Sequence, residues 1–250
     1  MKHWILPKTP WHECVAEGLR WGLPAGAQLH VVSPSAVPLA LGRRPRADGC
    51  VLVAPHRLSD EILAALPRRT LCYEVENLFG PWCAQRERVN VRRPDLRWLN
   101  YSAANCSVFG DEFEPLRYPT PFREAPRGGE GVLFVGSMNA RRAQILDDLR
   151  GRGVRVQVAT TAAPLFGDAL AAATARADLV LNVHYYEVPA ALSRCGLFES
   201  FRCVPALWRG RRVLSERGVD DPIGIDGLEL CAYEDLVDRA LEILSSPSAQ

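Results

Sequence analysis

Lysine is almost missing from this chain. Of its 30 Lys and Arg residues only Lys2 and Lys8 are lysine, so arginine, whose planar fork suits phosphate, carries the positive charge. A GC-rich coding sequence produces the same bias and is the plainer explanation. An excess of one sign is missing too. The 30 basic and 29 acidic side chains leave +1, which gives no reason to expect general affinity for nucleic acid or a membrane surface. No run of about 18 apolar residues occurs, so no membrane span is expected. The opening MKHWILPK lacks an adequate apolar segment for a secretory signal, and a cytoplasmic location is expected. None of the 8 cysteines forms C-x-x-C, a pattern of reduced, buried thiols rather than a disulfide framework or zinc site. The absence of G-x-G-x-x-G weakens an NAD or FAD reading, and the absence of G-x-x-x-x-G-K-[ST] argues against a P-loop NTPase.

What is present is ordinary in amount and informative in order. A chain of 250 residues, 48% hydrophobic and 24% charged, suits one large globular domain or two small ones. Strands are expected over residues 28–33, 50–54, 69–75 and 96–101, with helices over 59–66, from 81 to about 91, and from Ser102. Pro119, Pro121, Pro126 and the GGEG at 128–131 read as a linker. Beyond it, strands over 132–136, 154–159, 179–183 and 212–216 alternate with helices over 141–152 and 165–176, and an amphipathic helix covers 233–246. Alternation on both sides of a linker predicts an α/β fold of two doubly wound, Rossmann-like domains, a reduced one over 1–125 and a second over 126–250.

The densest polar cluster lies over 178–216. An apolar strand suited to burial on both faces delivers Asn182, His184, Tyr186 and Glu187 at its tip, and the next strand ends in Ser215 and Glu216. Open α/β sheets bind ligands outside the carboxyl ends of their strands, so these tips describe one wall of a site. Between them, Glu199 and Arg202 share a helical face, either as a surface ion pair or as ligand contacts. Upstream, Gly136, Ser137, Asn139 and Arg141, with Arg142, stand where a strand turns into a helix whose free amides attract phosphate. An ordinary turn with exposed arginines reads the same way. His184 is either a structural hydrogen-bonding residue or a group that binds sugar hydroxyls, orients a phosphate or moves a proton.

The segments LNVHYYE (181–187), FESFR (198–202) and GRRVLSE (210–216), in this order, resemble the donor-binding half of group 1-like nucleotide-sugar glycosyltransferases of the GT-B fold. CYEVENL (72–78), WLNYSAAN (98–105) and RYPTPF (117–122) are similar to acceptor-side segments of compact members. The resemblance implies two Rossmann-like domains facing across a cleft, with a nucleotide diphosphate sugar as co-substrate in the second. It places Gly136, Ser137, Asn139 and Arg141 near the diphosphate, Glu199 on the ribose hydroxyls, and Arg202 or Arg194 on the phosphates. Members of the group carry two glutamates eight apart, whereas Glu187 and Glu199 are twelve apart. A general base on the acceptor side, Glu76 among Glu74, Asn77, Tyr101, Ser102 and Asn105, suits an inverting transfer; helix caps and surface charge are the alternative. No D-x-D, the metal-holding carboxylate pair of the other large glycosyltransferase fold, occurs, so no metal or other cofactor is expected. The expectation is sugar transfer from this donor to a hydroxyl-type acceptor, with His184, Glu187 and Glu76 as candidate catalytic groups. The alternatives are an epimerase or hydrolase on the same frame and a non-catalytic binding subunit.

Overall fold

A computed structural model describes residues 2–8, 12–43, 49–76, 81–160, 162–185 and 198–246; of Cys14, Pro81 and Trp82 it gives the backbone alone. Asn77, Tyr186, Glu187 and Arg194 lie outside the described residues. The chain divides into two compact units, Met1–Arg117 and Tyr118–Gln250.

The first unit runs β1 (His3–Pro7), α1 (His12–Gly22), β2 (Gln28–Val32), α2 (Val37–Gly42), β3 (Cys50–Val53), α3 (Asp60–Ala64), β4 (Leu71–Glu74), α4 (Pro81–Arg92), β5 (Arg97–Asn100), α5 (Ala103–Phe109) and β6 (Glu112–Phe113). Its six strands are ordered β2-β1-β3-β4-β5-β6 and pair in parallel. Ile5, Leu52, Cys72 and Trp98 pack one sheet face onto Val37, Leu41, Leu63 and Val89 of α2, α3 and α4. Alternate residues Trp4 and Tyr73 stack edge to face, with ring centroids 4.9 Å apart. The sequence reading placed four strands here. It missed β1, whose buried Trp4-Ile5-Leu6 is a short apolar run, and β6, which is two residues long.

The second unit runs β7 (Val132–Val135), α6 (Ala140–Gly151), β8 (Val156–Ala159), α7 (Gly167–Arg176), β9 (Leu179–Asn182), α8 (Ser200–Trp208), β10 (Val213–Glu216), β11 (Leu228–Cys231) and α9 (Leu236–Ser245). The order β11-β10-β9-β7-β8 is again parallel throughout. Val132, Phe134, Leu179, Leu181 and Leu214 face Ile145, Leu149, Leu236, Ala240 and Ile243 of α6 and α9. Leu133, Val180 and Val213 face Ala173, Cys203 and Leu207 of α7 and α8. Burial on both faces explains why these strands are almost unbroken apolar runs. Among the described residues no helix is long and apolar enough to cross a membrane.

The Pro/Gly-rich stretch read as a linker is fastened to the second unit. The Gly129 and Gly131 amides donate to the two oxygens of Asp178 at 2.7 and 2.8 Å, and Arg127 donates to the carbonyls of Ile243 and Leu244. Turn composition fixes local geometry but does not say whether a segment finds a partner.

Candidate functional site

In the second sheet the strand order reverses between β7 and β9, and the carboxyl ends on either side of such a switch form a ligand crevice. Here they carry Gly136 to Asn139 and Asn182 to His184, with the start of α8 and the tip of β10 alongside.

Asn139 caps α6: its Oδ1 accepts the Arg142 amide at 2.9 Å while its Nδ2 donates to the Tyr185 carbonyl. This cap aims the first turn of α6 at β9. Arg141 then forms a two-armed pair with Glu216, and its Nη1 also donates to the His184 carbonyl at 3.1 Å. The guanidinium lies 3.8 Å from the centre of the Tyr233 ring, whose hydroxyl donates to the Arg141 carbonyl. Glu216 accepts the His184 amide at 2.9 Å as well. Asn139, Arg141 and Glu216, expected at the ligand, are thus tied to one another's loops and hold the strand tips in place.

Arg142 is buried and spends its guanidinium on the Val183 carbonyl (2.8 Å), the Ser137 carbonyl (2.8 Å) and Glu199 Oε1 (3.1 Å). Burial lowers its pKa to about 10, against the opposing pull of Glu199. Glu199, the residue capping α8, pairs with Arg142 through one oxygen and with Arg202 through the other. Burial pushes its pKa up, but Arg202, Arg142 and His184 together outweigh that and hold it below the ordinary value. Arg202 Nη1 also donates to Asn182 Oδ1 at 3.0 Å, and Asn182 Nδ2 donates to Ser215 Oγ at 2.9 Å. Among the described residues the Nε and Nη2 of Arg202 donate to nothing, and the side chain is 21% exposed.

Gly136 makes room for both guanidiniums. A Cβ there would lie 3.1 Å from Arg142 Nη1 and 3.2 Å from Arg202 Cζ and Nη2. His184 is buried, 2% exposed, and its Nε2 has no hydrogen-bond partner among the described residues. Its ring acts electrostatically on Glu199 and on Asp221. Burial raises the Asp221 carboxyl, which accepts the Gly218 amide at 2.8 and 2.9 Å. A buried polar atom without a partner is costly, and Glu199 Oε2, beside His184 in this network, is another that lacks a hydrogen bond among the described residues.

Of the expected residues in this unit, Gly136, Ser137, Asn139, Arg141, Asn182, His184, Glu199, Arg202, Ser215 and Glu216 are brought into one network. Asp221 and Tyr233 were not singled out from the sequence as members, and Arg142 was named only beside Arg141. Arg142 carried a signal, because it stands three residues after Asn139 and one helical turn inside α6.

The first unit holds its own network at the ends of β3, β4 and β5. His56 Nδ1 is 3.4 Å from Glu74 Oε1, and Glu76 pairs with Arg57 and faces His56 Nε2 at 3.8 Å. Arg86 pairs with Asp111 at 2.6 Å and with Glu74 at 3.6 Å while stacking 3.2 Å from the centre of the Trp98 ring. Burial pushes Glu76 up, but the His56 hydrogen bond and the Arg57 charge more than offset it, so its carboxyl is held low. Ser102 caps α5 by accepting the Asn105 amide, and Asn105 donates to the Glu76 carbonyl. Among the described residues no three His, Cys, Asp or Glu side chains group as metal ligands.

The architecture is a glycosyltransferase-like, Rossmann-type α/β fold of two parallel sheets with flanking helices. Among solved structures, AviGT4, a glycosyltransferase involved in avilamycin A biosynthesis, superposes with a TM-score of 0.56 over 99% of this chain and 89% of its own, at 16% identity. No protein-family profile matches the chain. The uncharacterized protein L140 of Acanthamoeba polyphaga mimivirus is 26% identical over 166 residues, 60% of this chain. The chain spans about half the length, 52%, of that curated relative.

Proposed function

We propose that the chain is a glycosyltransferase whose second unit holds the diphosphate of a nucleotide-sugar donor at the ends of β7, β9 and β10 and the start of α8. The observation that carries this reading is the open donor set: His184 Nε2 and the Nε–Nη2 edge of Arg202, neither with a partner among the described residues, beside a glycine that keeps the backbone bare. An anion satisfies both groups, and a guanidinium edge grips phosphate in two arms. Arginine and imidazole donors then stabilise the charge that develops on the leaving diphosphate, without a metal. The transferred sugar goes to a hydroxyl-type acceptor. The glycosyltransferase-like fold supports the reading at the level of architecture.

The test is a thermal-shift panel of UDP, GDP, dTDP, ADP, CMP and NAD on the whole chain, with and without EDTA. One nucleoside diphosphate at a hundred times its dissociation constant stabilises by roughly 2.7 kcal/mol. Arg202→Ala removes charged hydrogen bonds worth about 1.5–3 kcal/mol, weakening affinity by roughly tenfold to a hundredfold or more. A chain that responds to no nucleoside diphosphate, or an Arg202→Ala variant that binds as wild type does, ends the proposal. Sugar-nucleotide turnover without acceptor would instead identify a hydrolase or epimerase.

A further inference from the structure

The helix that carries the open arginine is strapped along its length by the first residues of its own unit. Tyr118 OH and Ser200 Oγ are hydrogen-bonded at 3.2 Å, and Ser200 is the buried first residue of α8, between Glu199 and Arg202. Tyr118 and Phe122 pack on the cluster formed by Phe198, Cys203, Ala206 and Leu207. At the far end of α8 the Ala125 amide donates to the Gly210 carbonyl at 2.9 Å, and Arg211 Nη1 donates to the Pro126 carbonyl at 2.6 Å. Gly210 has φ +70°, and a Cβ there would lie 2.4 Å from the Arg123 carbonyl, so the strap fits only against glycine. Among the described residues Asp220 also holds the start of α8, its Oδ1 accepting the Phe198 amide at 3.2 Å, beside the Arg142–Glu199 pair.

We infer that Tyr118 is a positioning residue for the anion site. Its hydroxyl fixes the first turn of α8, and through it the pairing of Glu199 with Arg142 and Arg202 that leaves the Arg202 edge facing Gly136. Burial pushes the Tyr118 hydroxyl pKa up, so the group stays neutral and keeps its proton. Without that hydrogen bond, the first turn of α8 loses one of its holds, leaving the Asp220–Phe198 and Arg142–Glu199 contacts and packing, and Arg202 samples more geometries than the productive one. The inference rests on the nucleotide reading, and it adds a residue that touches neither nucleotide nor sugar.

The experiment is titration calorimetry on the full chain with UDP, GDP, dTDP and ADP, taking whichever wild type binds. Tyr118→Phe keeps the ring and removes the hydroxyl, and Ser200→Ala removes its partner. Each is expected to weaken affinity by roughly threefold to tenfold, the range one hydrogen bond spans. The double variant is expected to be no weaker than the weaker single, because both remove the same bond. Arg127→Ala, which loses bonds to the Ile243 and Leu244 carbonyls of α9 and leaves the Tyr118–Ser200 bond intact, should lower the melting temperature and leave affinity alone. Should Tyr118→Phe fail to fold, Ser200→Ala gives the answer. Unchanged affinity in a folded variant, or additive losses in the double, overturns the inference and leaves the nucleotide reading standing. Wild type that binds none of the four overturns both.

Discussion

The two units use the same plan to different ends. Both sheets place their second strand outside the first and continue with the third, fourth and fifth on the other side, so both gather polar residues at the carboxyl ends of their central strands. In the first unit that gathering is buried. Arg86 and Asp111 are 2% and 3% exposed, and the Arg86 guanidinium lies 3.2 Å from the centre of the Trp98 ring, although Arg86 Nε and Glu74 Oε2 have no hydrogen-bond partner among the described residues. In the second unit Arg142 plays that interior part, but a second guanidinium, Arg202, also lies against bare Gly136 and keeps an edge with no partner among the described residues. The two gatherings therefore differ by one partly exposed arginine edge and one bare glycine, while both hold buried polar atoms with no partner among the described residues. Topology sets where polar side chains collect, and those few residues decide whether they face outward.

Breaking the buried network of the first unit should cost the most. Arg86→Met leaves Asp111 and fully buried Glu74 without their cation, and removing one partner of a buried pair costs about 3–5 kcal/mol. Denaturant unfolding of the variant would measure it; a loss below about 1 kcal/mol would mean that the network carries no weight. Gly136→Ala should come next. Its Cβ presses on two guanidiniums, overpacking that costs about 1–3 kcal/mol, and it moves the Arg202 edge. Nucleotide-dependent stabilisation should vanish while the chain remains folded, which separates the site from the scaffold.

Acid should produce the smallest change and should touch both units. Glu76 and Glu199 each have a folded pKa below the ordinary 4.5, because cationic and imidazole partners outweigh burial. A carboxyl lowered on folding contributes stability that is fully present above its unfolded pKa and is lost as pH falls through the folded value. The melting temperature should therefore stay level from pH 7 to about 5 and decline below about 4.5, by about 2–4 °C for each kcal/mol lost. Glu199→Gln should flatten part of that decline. An unaltered acid limb would show that the Glu199 pairs are not what titrates.

Much of the architecture was readable in the chain because burial on both faces writes itself as continuous apolar runs. LVLNV and VLFVG announce β9 and β7, and both strands ended within one residue of the expected place. Where the run is short the signal fails: Trp4-Ile5-Leu6 is fully buried yet looked like a chain start, and LELC over 228–231 lacks the contrast that marks a strand. The site was readable as a set of strand tips, but not as a division of labour. Charge and spacing put Arg141, Arg202 and Glu216 in one place. Only the folded arrangement shows that Arg141 and Glu216 are spent on each other while Arg202 keeps an edge with no partner among the described residues. Tyr118 was out of reach altogether, since its partner is 82 residues away.

The bare backbone at Gly136 also constrains how this protein can drift. A Cβ there would lie 3.1 to 3.2 Å from the guanidiniums of Arg142 and Arg202, so replacing the glycine displaces one or both arginines. The three positions are therefore coupled: a change at the glycine is easier once an arginine has gone. Lineages descended from this fold should therefore tend to keep Gly136, Arg142 and Arg202 together, or to show an arginine already lost where the glycine has changed.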